Sequence, residues 1–243
     1  MIHPKLRDSQ KNVDPIYEVN IFPKNIIQRI GAHIVYLMYS GRRDITGDDW
    51  GDIFAETIKG THFASPIGIA DVAFEKTGWS MKTVKNAHPF NCTNVRLISG
   101  RCSPDYSFGI TDPHTDIQKT GQAVLAVWNE RINIAYEEYN SVRVNVLVRN
   151  DDLTEFRMFE EYIERYKTND YIWEENKNGN LLGINKHSGQ TCFTWQPHGA
   201  QFTIHTNVPE DAIKFKVKRP PIVSMDSVLQ SINFDNSWIQ IIE

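Results

Sequence analysis

Residues 65–85, SPIGIADVAFEKTGWSMKTVK, carry the clearest structural pattern in the chain. Their first half predicts a largely buried strand up to Glu75, because apolar side chains recur at Ile67, Ile69, Val72 and Phe74. Residues 75–78 supply a turn, and residues 79–85 predict a second strand. The whole stretch therefore predicts a β-hairpin.

Two charged residues stand on this hairpin. Asp71 is a lone acid in an otherwise apolar strand, and Lys82 lies on the returning strand. If the turn centres on Lys76 and Thr77, Asp71 and Lys82 lie opposite each other with Cβ atoms about 5 Å apart. Ser80 shares a strand face with Lys82, because side chains alternate with a period of two. We therefore expect these three side chains at one point of the sheet.

Helical patterns flank the hairpin on both sides. Residues 23–40 begin with proline and carry apolar side chains at helical spacing, which predicts a first helix. A second helix starts near Thr46 or Asp48, both acceptable N-caps, and runs to Gly60. Residues 114–139 predict a long helix by the same spacing.

Strand patterns dominate the rest of the chain. Residues 141–150, SVRVNVLVRN, alternate polar and apolar side chains as a strand does. Short strands then alternate with Asn-Gly, Ser-Gly and His-Gly turns. We predict an α/β protein of α+β type with a mixed sheet, and a β-rich C-terminal part that packs on the core.

Composition narrows the class of protein. The chain has 243 residues, of which 40% are hydrophobic and 23% charged, as in an ordinary globular protein. A net charge of -4 argues against a protein that holds DNA by bulk charge. Three cysteines make a disulfide framework unexpected, and no apolar run suits a signal peptide or a membrane span. A cytoplasmic location is the expectation.

The hairpin residues suit the hydrolysis of a phosphodiester. That reaction needs an activated water and neutralisation of the extra negative charge that develops on phosphorus. Mg²⁺ supplies much of this when one or two carboxylates hold it and leave positions for water and phosphate. A nearby lysine can orient the water and stabilise charge. Asp71 and Lys82 are thus the smallest set of side chains for this chemistry.

The pattern resembles the PD-(D/E)XK nuclease superfamily, which includes many type II restriction endonucleases. There an Asp near the end of one strand is followed by an acid-x-Lys on the next strand, and the matching residues here are Asp71 and residues 80–82, Ser-Met-Lys. The resemblance covers roughly residues 46–150, with helix, hairpin, long helix and strand in the family's order. Two departures are that Ala70 replaces the usual Pro and Ser80 occupies the acidic position.

The resemblance implies a site and an activity. Some restriction endonucleases with S-x-K recruit a glutamate from elsewhere. The candidates are Glu56 on the second helix, which we favour, and Glu130 on the long helix. Asp71 with Glu56 would bind Mg²⁺, and Lys82 would position the water. The implied product has a 5′-phosphate, the implied substrate is double-stranded DNA, and the implied assembly is a homodimer that matches a palindromic site.

The same resemblance suggests how one domain, residues 1–243, is organised. Residues 1–45 would form an N-terminal arm and helix, residues 46–150 a restriction-endonuclease-like catalytic core, and residues 151–243 a β-rich extension that contacts DNA. Basic residues that could contact phosphates are Lys85, Arg96, Arg101, Lys214, Lys216 and Lys218. Any solvated edge strand needs such residues too.

Other interpretations of the same residues stay open. Asp71 could be a structural acid that caps a helix or pairs with Arg96 or Arg101. A structural zinc site could close around the irregular loop through His88, Cys92, Cys102 and His114. A structure-specific DNA-repair nuclease could use the same fold, and loss of the acid before Lys82 is also what a catalytically silent DNA-binding module would show.

Overall fold

The computed structural model describes residues 13–63 and 68–242, so Ile67 of the expected strand lies outside the described residues. The α-helices in this part of the chain are α1 (Lys24–Tyr39), α2 (Gly47–Ile58), α3 (Pro104–Phe108), α4 (Ile117–Glu138) and α5 (Met225–Ser231). Short 3-10 turns occur at Pro89–Asn91, Thr168–Asp170 and Asn236–Trp238. None of the helices described here is long and apolar enough to cross a membrane.

The strands form two sheets. In chain order they are β1 (Thr61–His62), β2 (Val72–Phe74), β3 (Thr77–Lys85), β4 (Asn94–Arg101), β5 (Ser141–Arg149), β6 (Glu155–Tyr162), β7 (Tyr171–Glu175), β8 (Leu181–Asn185), β9 (Thr191–Gln196), β10 (Gln201–Asn207) and β11 (Ile213–Lys216). The first sheet has the order β1-β2-β3-β5-β6-β11, and the second has the order β4-β10-β9-β8-β7. β3 and β5 are parallel, whereas their neighbours pair antiparallel, so the predicted mixed sheet and α+β class are confirmed.

Helices α1 and α2 cover one face of the first sheet. α1 buries a residue at every fourth position, namely Ile26, Ile30, Ile34 and Met38. α2 begins as expected at the N-cap Thr46, whose hydroxyl accepts from the Asp49 backbone N–H while the Asp49 side chain accepts from the Thr46 N–H. Both helices pack on the sheet through one apolar cluster that includes Trp79 and Met158.

The other face of the first sheet meets α4 and the second sheet. α4 buries Val124, Trp128 and Ile132 in a cluster that also contains side chains from β7, β9 and β10. Close approach is possible because α4 carries Gly121, where any side chain would collide with the Trp173 ring. The two sheets and α4 therefore enclose a shared interior.

The two strands of the hairpin pair in a register that differs by two residues from the expected one. Its turn is Glu75–Lys76, with Phe74 opposite Thr77. Glu75 has φ of 51°, the positive value that two-residue hairpin turns require. In this register Asp71, which directly precedes β2, faces Ser80 rather than Lys82. A shift of two residues keeps every side chain on its expected face, because the side-chain period is two.

The expected boundary at residue 150, between a catalytic core and a β-rich extension, does not coincide with the division of the strands into two sheets. β4 belongs to the segment expected as core, yet it pairs with β10 in the second sheet. β6 and β11 belong to the expected extension, yet they continue the first sheet beyond β5. The two segments therefore interleave in the fold.

Candidate active site

Asp71 lies where the hairpin begins, and the returning strand holds its carboxylate. Its backbone N–H donates to the Trp79 carbonyl at 2.8 Å. Its Oδ2 atom accepts from the Met81 backbone N–H at 2.7 Å and from the Ser80 hydroxyl at 3.2 Å. The Lys82 Nζ atom lies 3.6 Å from the same oxygen. The fold thus brings Asp71, Ser80 and Lys82 together.

The Asp71 carboxylate keeps one oxygen free for a ligand. The side chain is 29% exposed, and within residues 13–63 and 68–242 no hydrogen bond reaches Oδ1. Mg²⁺ is commonly held by only one or two carboxylates, with water and substrate phosphate completing its octahedron. Asp71 therefore fits as a magnesium ligand, although the described residues contain no group of three or more His, Cys, Asp or Glu that could hold an ion.

Lys82 is a shielded ammonium group with a perturbed pKa. Burial lowers the pKa of Lys82, Asp71 opposes this shift, and the positive charge of Arg131 adds to it. The ammonium donates to the Met81 carbonyl at 3.1 Å, while its side chain remains 19% exposed. It is thus positioned to meet a negatively charged group that enters from solvent.

Arg131 on α4 ties the site to the second sheet, and the sequence analysis missed this residue. Its Nη1 donates to the Ser99 carbonyl on β4 at 2.9 Å, and its Nη2 donates to the Gly68 carbonyl at 3.3 Å. Gly68 lies just before Asp71, so the guanidinium links β4 to the segment that leads into the hairpin. The lack of a side chain at Gly100 makes room for it, since a Cβ there would lie 2.6 Å from Nη1.

Two cavities flank Lys82 between the sheets. The larger one, of about 520 Å³, is lined by Ser80, Lys82, Ser99, Val144, Glu161 and Thr206, among others. The smaller one, of about 280 Å³, is lined by Lys82, Thr83, Arg96 and Ile98, together with Gly47 at the start of α2. Lys82 therefore lines both cavities, and we call the two cavities together the groove.

Glu56, which the sequence analysis favoured as the second metal ligand, lies elsewhere. Its side chain is 65% exposed, and its carboxylate lies 3.7 Å from His33 Nδ1 and 3.9 Å from Arg29 Nη2, both on α1. The buried face of α2 carries Phe54 and its apolar neighbours toward the sheet, and Glu56 falls outside that face. The structure does not bring Glu56 to Asp71.

Glu130, the other candidate, is also turned away. It is exposed on α4 and accepts from the Asn133 side chain at 3.0 Å. The acids that do line the larger cavity are Glu160, Glu161 and Glu164, none of which the sequence analysis named. The sequence feature that could have pointed to Glu161 is the adjacent pair Glu160-Glu161 inside a strand. Because side chains alternate along a strand, the two acids lie on opposite faces of the sheet.

The expected cysteine and histidine candidates do not come together. The Cys92 thiol donates to the Asn94 carbonyl at 3.2 Å and packs in a cluster with Val95 and Phe159. Cys102 packs in a different cluster, around α4. His114 lies 3.2 Å from Glu175. In the described residues these side chains, including His88, form no group that could hold a metal ion.

The residues expected to contact DNA differ in their surroundings: two line cavities, two form ion pairs and two are exposed. Arg96 is exposed and borders the groove beside Lys82, and Arg101 lines a separate cavity of about 410 Å³. Lys85 lies 3.2 Å from Asp151 and 3.6 Å from Asp44, and Lys216 lies 2.9 Å from Glu155. Lys214 and Lys218 are exposed, the first on β11 and the second just after it. Among these residues, Arg96 shares a cavity lining with Lys82.

Comparison with protein-family models, curated proteins and solved structures gives no match for this chain. The geometry around Asp71 and Lys82 is therefore the basis for assigning a function.

Proposed function

We propose that this chain is a Mg²⁺-dependent endonuclease that hydrolyses double-stranded DNA, as a type II restriction enzyme does. The observation that carries the proposal is the Lys82 ammonium, held 3.6 Å from the partly exposed Asp71 carboxylate at the edge of the groove. The order of α2, the hairpin, α4 and the parallel strand β5 agrees with the resemblance to PD-(D/E)XK nucleases.

The residues of this chain would divide the chemistry as follows. Asp71 would hold Mg²⁺ through Oδ1, and the ion would lower the pKa of a water and offset charge on the phosphate. Ser80 and the Met81 N–H would keep the carboxylate in place through Oδ2. The Lys82 ammonium would donate to the attacking water or to a phosphate oxygen as negative charge develops.

The groove gives DNA a route to these residues. Arg96 borders the smaller cavity together with Lys82, so its guanidinium would contact a neighbouring phosphate. A homodimer would place two such sites on the two strands of a palindromic sequence. The cleaved products would carry a 5′-phosphate and a 3′-hydroxyl, as the resemblance implies.

The test is incubation of the purified protein with unmodified plasmid and phage DNA, with Mg²⁺ or with EDTA. We expect discrete fragments on an agarose gel in Mg²⁺ and intact DNA in EDTA. Cutting restricted to nicked, mismatched or branched DNA would instead indicate a repair nuclease. Binding of DNA without any metal-dependent cutting would indicate a silent binding module and would end the nuclease proposal.

The pH dependence of cleavage should report the pKa of Lys82. Because burial lowers this pKa below 10.5, the ammonium is lost at a lower pH than in an exposed lysine. Cleavage that needs the ammonium should therefore fall on the alkaline side, with a midpoint below pH 10.5. In Arg131→Gln a positive neighbour is removed, so the midpoint should move to higher pH. If the midpoint is unchanged in this variant, the loss of cleavage at high pH is not caused by deprotonation of Lys82.

A further inference from the structure

The cavity of about 520 Å³ lies between the two sheets. The first sheet contributes Ser80 and Lys82 on β3, Val144 on β5 and Glu161 on β6, while β4 and β10 of the second sheet form the facing wall. Pockets for small organic ligands commonly have volumes of about 300–1,000 Å³. The cavity is therefore large enough to hold one small molecule or a single unit of a polymer.

Opposite charges stand at two sides of this cavity. Lys82 and Glu161 lie on strands that are separated only by β5, which is a distance of about 10 Å, and Val144 of β5 provides apolar surface between them. The Lys82 ammonium has three N–H groups, and Asp71 and the Met81 carbonyl occupy at most two of them. The cavity thus suits a ligand with an anionic group at one end and a hydrogen-bond donor at the other.

The Glu161 carboxylate has spare capacity to accept hydrogen bonds. It accepts from the Thr206 hydroxyl at 3.2 Å, and in the described part of the chain no Lys, Arg or His nitrogen lies within 4.0 Å of it. Burial raises the pKa of Glu161, and the nearby Glu164 adds to that shift. A partly buried carboxylate that lacks donors costs free energy, which a ligand with N–H groups would offset.

The other two acids that line the cavity are not equivalent to Glu161. The Glu160 carboxylate lies on the opposite face of the sheet, where it already accepts from three side chains, those of Tyr17, Arg143 and Asn145. Glu164 is exposed to solvent. Glu161 is therefore the acid that combines partial burial, a position facing the cavity and unused acceptor capacity.

Aromatic side chains complete the lining. Trp128 of α4 and Tyr166 both border the cavity, and their rings stack with centroids 6.5 Å apart and planes inclined by 20°. Aromatic rings of this kind provide a surface on which a nucleic-acid base can stack. A planar ring therefore suits the space between Lys82 and Glu161 better than a branched or globular group does.

We propose that this cavity is a binding site for one nucleotide, with its phosphate at the Lys82 ammonium and an amino-bearing base directed toward Glu161. Cytosine offers an amino donor, for which a glutamate carboxylate is a matching acceptor, whereas uracil and thymine carry an acceptor oxygen at the same ring position. The inference rests on the proposed nuclease function for its role in DNA cleavage. There the nucleotide would have to leave the base stack in order to pass between the two sheets.

The experiment is a titration of the whole protein, in EDTA, with deoxycytidine monophosphate or deoxyuridine monophosphate, followed by saturation-transfer NMR. These ligands differ in one ring substituent, an amino group or an oxygen, with the matching change at the neighbouring ring nitrogen. We expect wild-type protein to bind the cytidine nucleotide in the millimolar range or tighter, and about tenfold more tightly than the uridine nucleotide, because only the former donates to a charged acceptor. Glu161→Gln should lose this preference, because an amide both donates and accepts.

The matched control is Glu56→Gln, the same substitution at the exposed acid on α2. It should keep the wild-type preference for the cytidine nucleotide. The assignment would be overturned if wild-type protein bound neither nucleotide, if it bound both equally, or if Glu161→Gln kept the preference. Circular dichroism and the melting temperature of each variant check that a change in binding is not a loss of fold.

A plasmid-cleavage assay in Mg²⁺ on the same preparations separates the two proposals. Protein that shows the expected nucleotide preference but cuts no DNA would keep the nucleotide site and reject the nuclease. Protein that cuts DNA in a Mg²⁺-dependent manner but binds neither nucleotide would keep the nuclease and reject the nucleotide site.

Discussion

The variant Asp71→Asn is expected to cleave DNA about 10³-fold more slowly than wild type, or worse, while remaining folded. Loss of the anionic ligand removes metal-dependent charge stabilisation of several kcal/mol, and each 1.36 kcal/mol corresponds to about a tenfold change in rate. The amide oxygen of asparagine can still accept from the Met81 N–H, which now donates to Asp71. Single-turnover cleavage of plasmid DNA in saturating Mg²⁺ measures the effect.

The control for this prediction is Asp48→Asn, the same substitution at an exposed acid in the first turn of α2. It should cleave at the wild-type rate. Wild-type activity in Asp71→Asn would exclude Asp71 as the metal ligand and would restore the alternative in which this acid is purely structural.

The variant Glu160→Gln is expected to lower the free energy of unfolding by about 3–5 kcal/mol. The Arg143 and Glu160 side chains are both 0% exposed, and Arg143 Nη1 lies 3.2 Å from Glu160 Oε2. Removal of the carboxylate charge leaves the guanidinium buried without a counter-ion. It also weakens the acceptor for the Tyr17 hydroxyl, now 2.7 Å away, which anchors the N-terminal segment. Urea denaturation followed by tryptophan fluorescence measures the loss.

Glu161→Gln is the matched control, because it changes the next residue of the same strand on the opposite face. It should alter the free energy of unfolding by less than about 1 kcal/mol. The double variant Arg143→Met with Glu160→Met should be more stable than Glu160→Gln, since it removes both buried charges together. If Glu160→Gln costs no more than Glu161→Gln, the buried pair does not stabilise the fold as argued.

Local patterns predicted α1, α2, α4 and the existence of the hairpin, but not the short helices α3 and α5. The spacing of apolar residues gave α1, and the cap at Thr46 gave the start of α2, because both depend on neighbours within one or two turns. The hairpin register was missed by two residues, because Glu-Lys carries none of the usual turn residues and the sequence did not show that Glu75 takes a positive φ.

Only those residues of the site that are close together in the sequence could be predicted from it. Asp71 and Lys82 meet because one hairpin carries both. Glu161 reaches the cavity that Lys82 lines only through the pairing of β5 with β3 and with β6, which a strand pattern alone does not specify. The prediction for Glu56 was wrong because the apolar face of α2 packs on the sheet. In that orientation of the helix, the Glu56 carboxylate lies next to α1.

Each sheet combines strands from distant parts of the sequence, and this has a consequence for folding during synthesis. β4 has its partner, β10, roughly a hundred residues further along the chain, and the first sheet gains its last strand only at Ile213–Lys216. During synthesis the hairpin with Asp71 therefore leaves the ribosome long before the strands that complete its surroundings. A nascent chain would carry Asp71 and Lys82 without the groove that Arg96 and Glu161 help to line. Full assembly of the site must wait until β10 has been translated and has paired with β4.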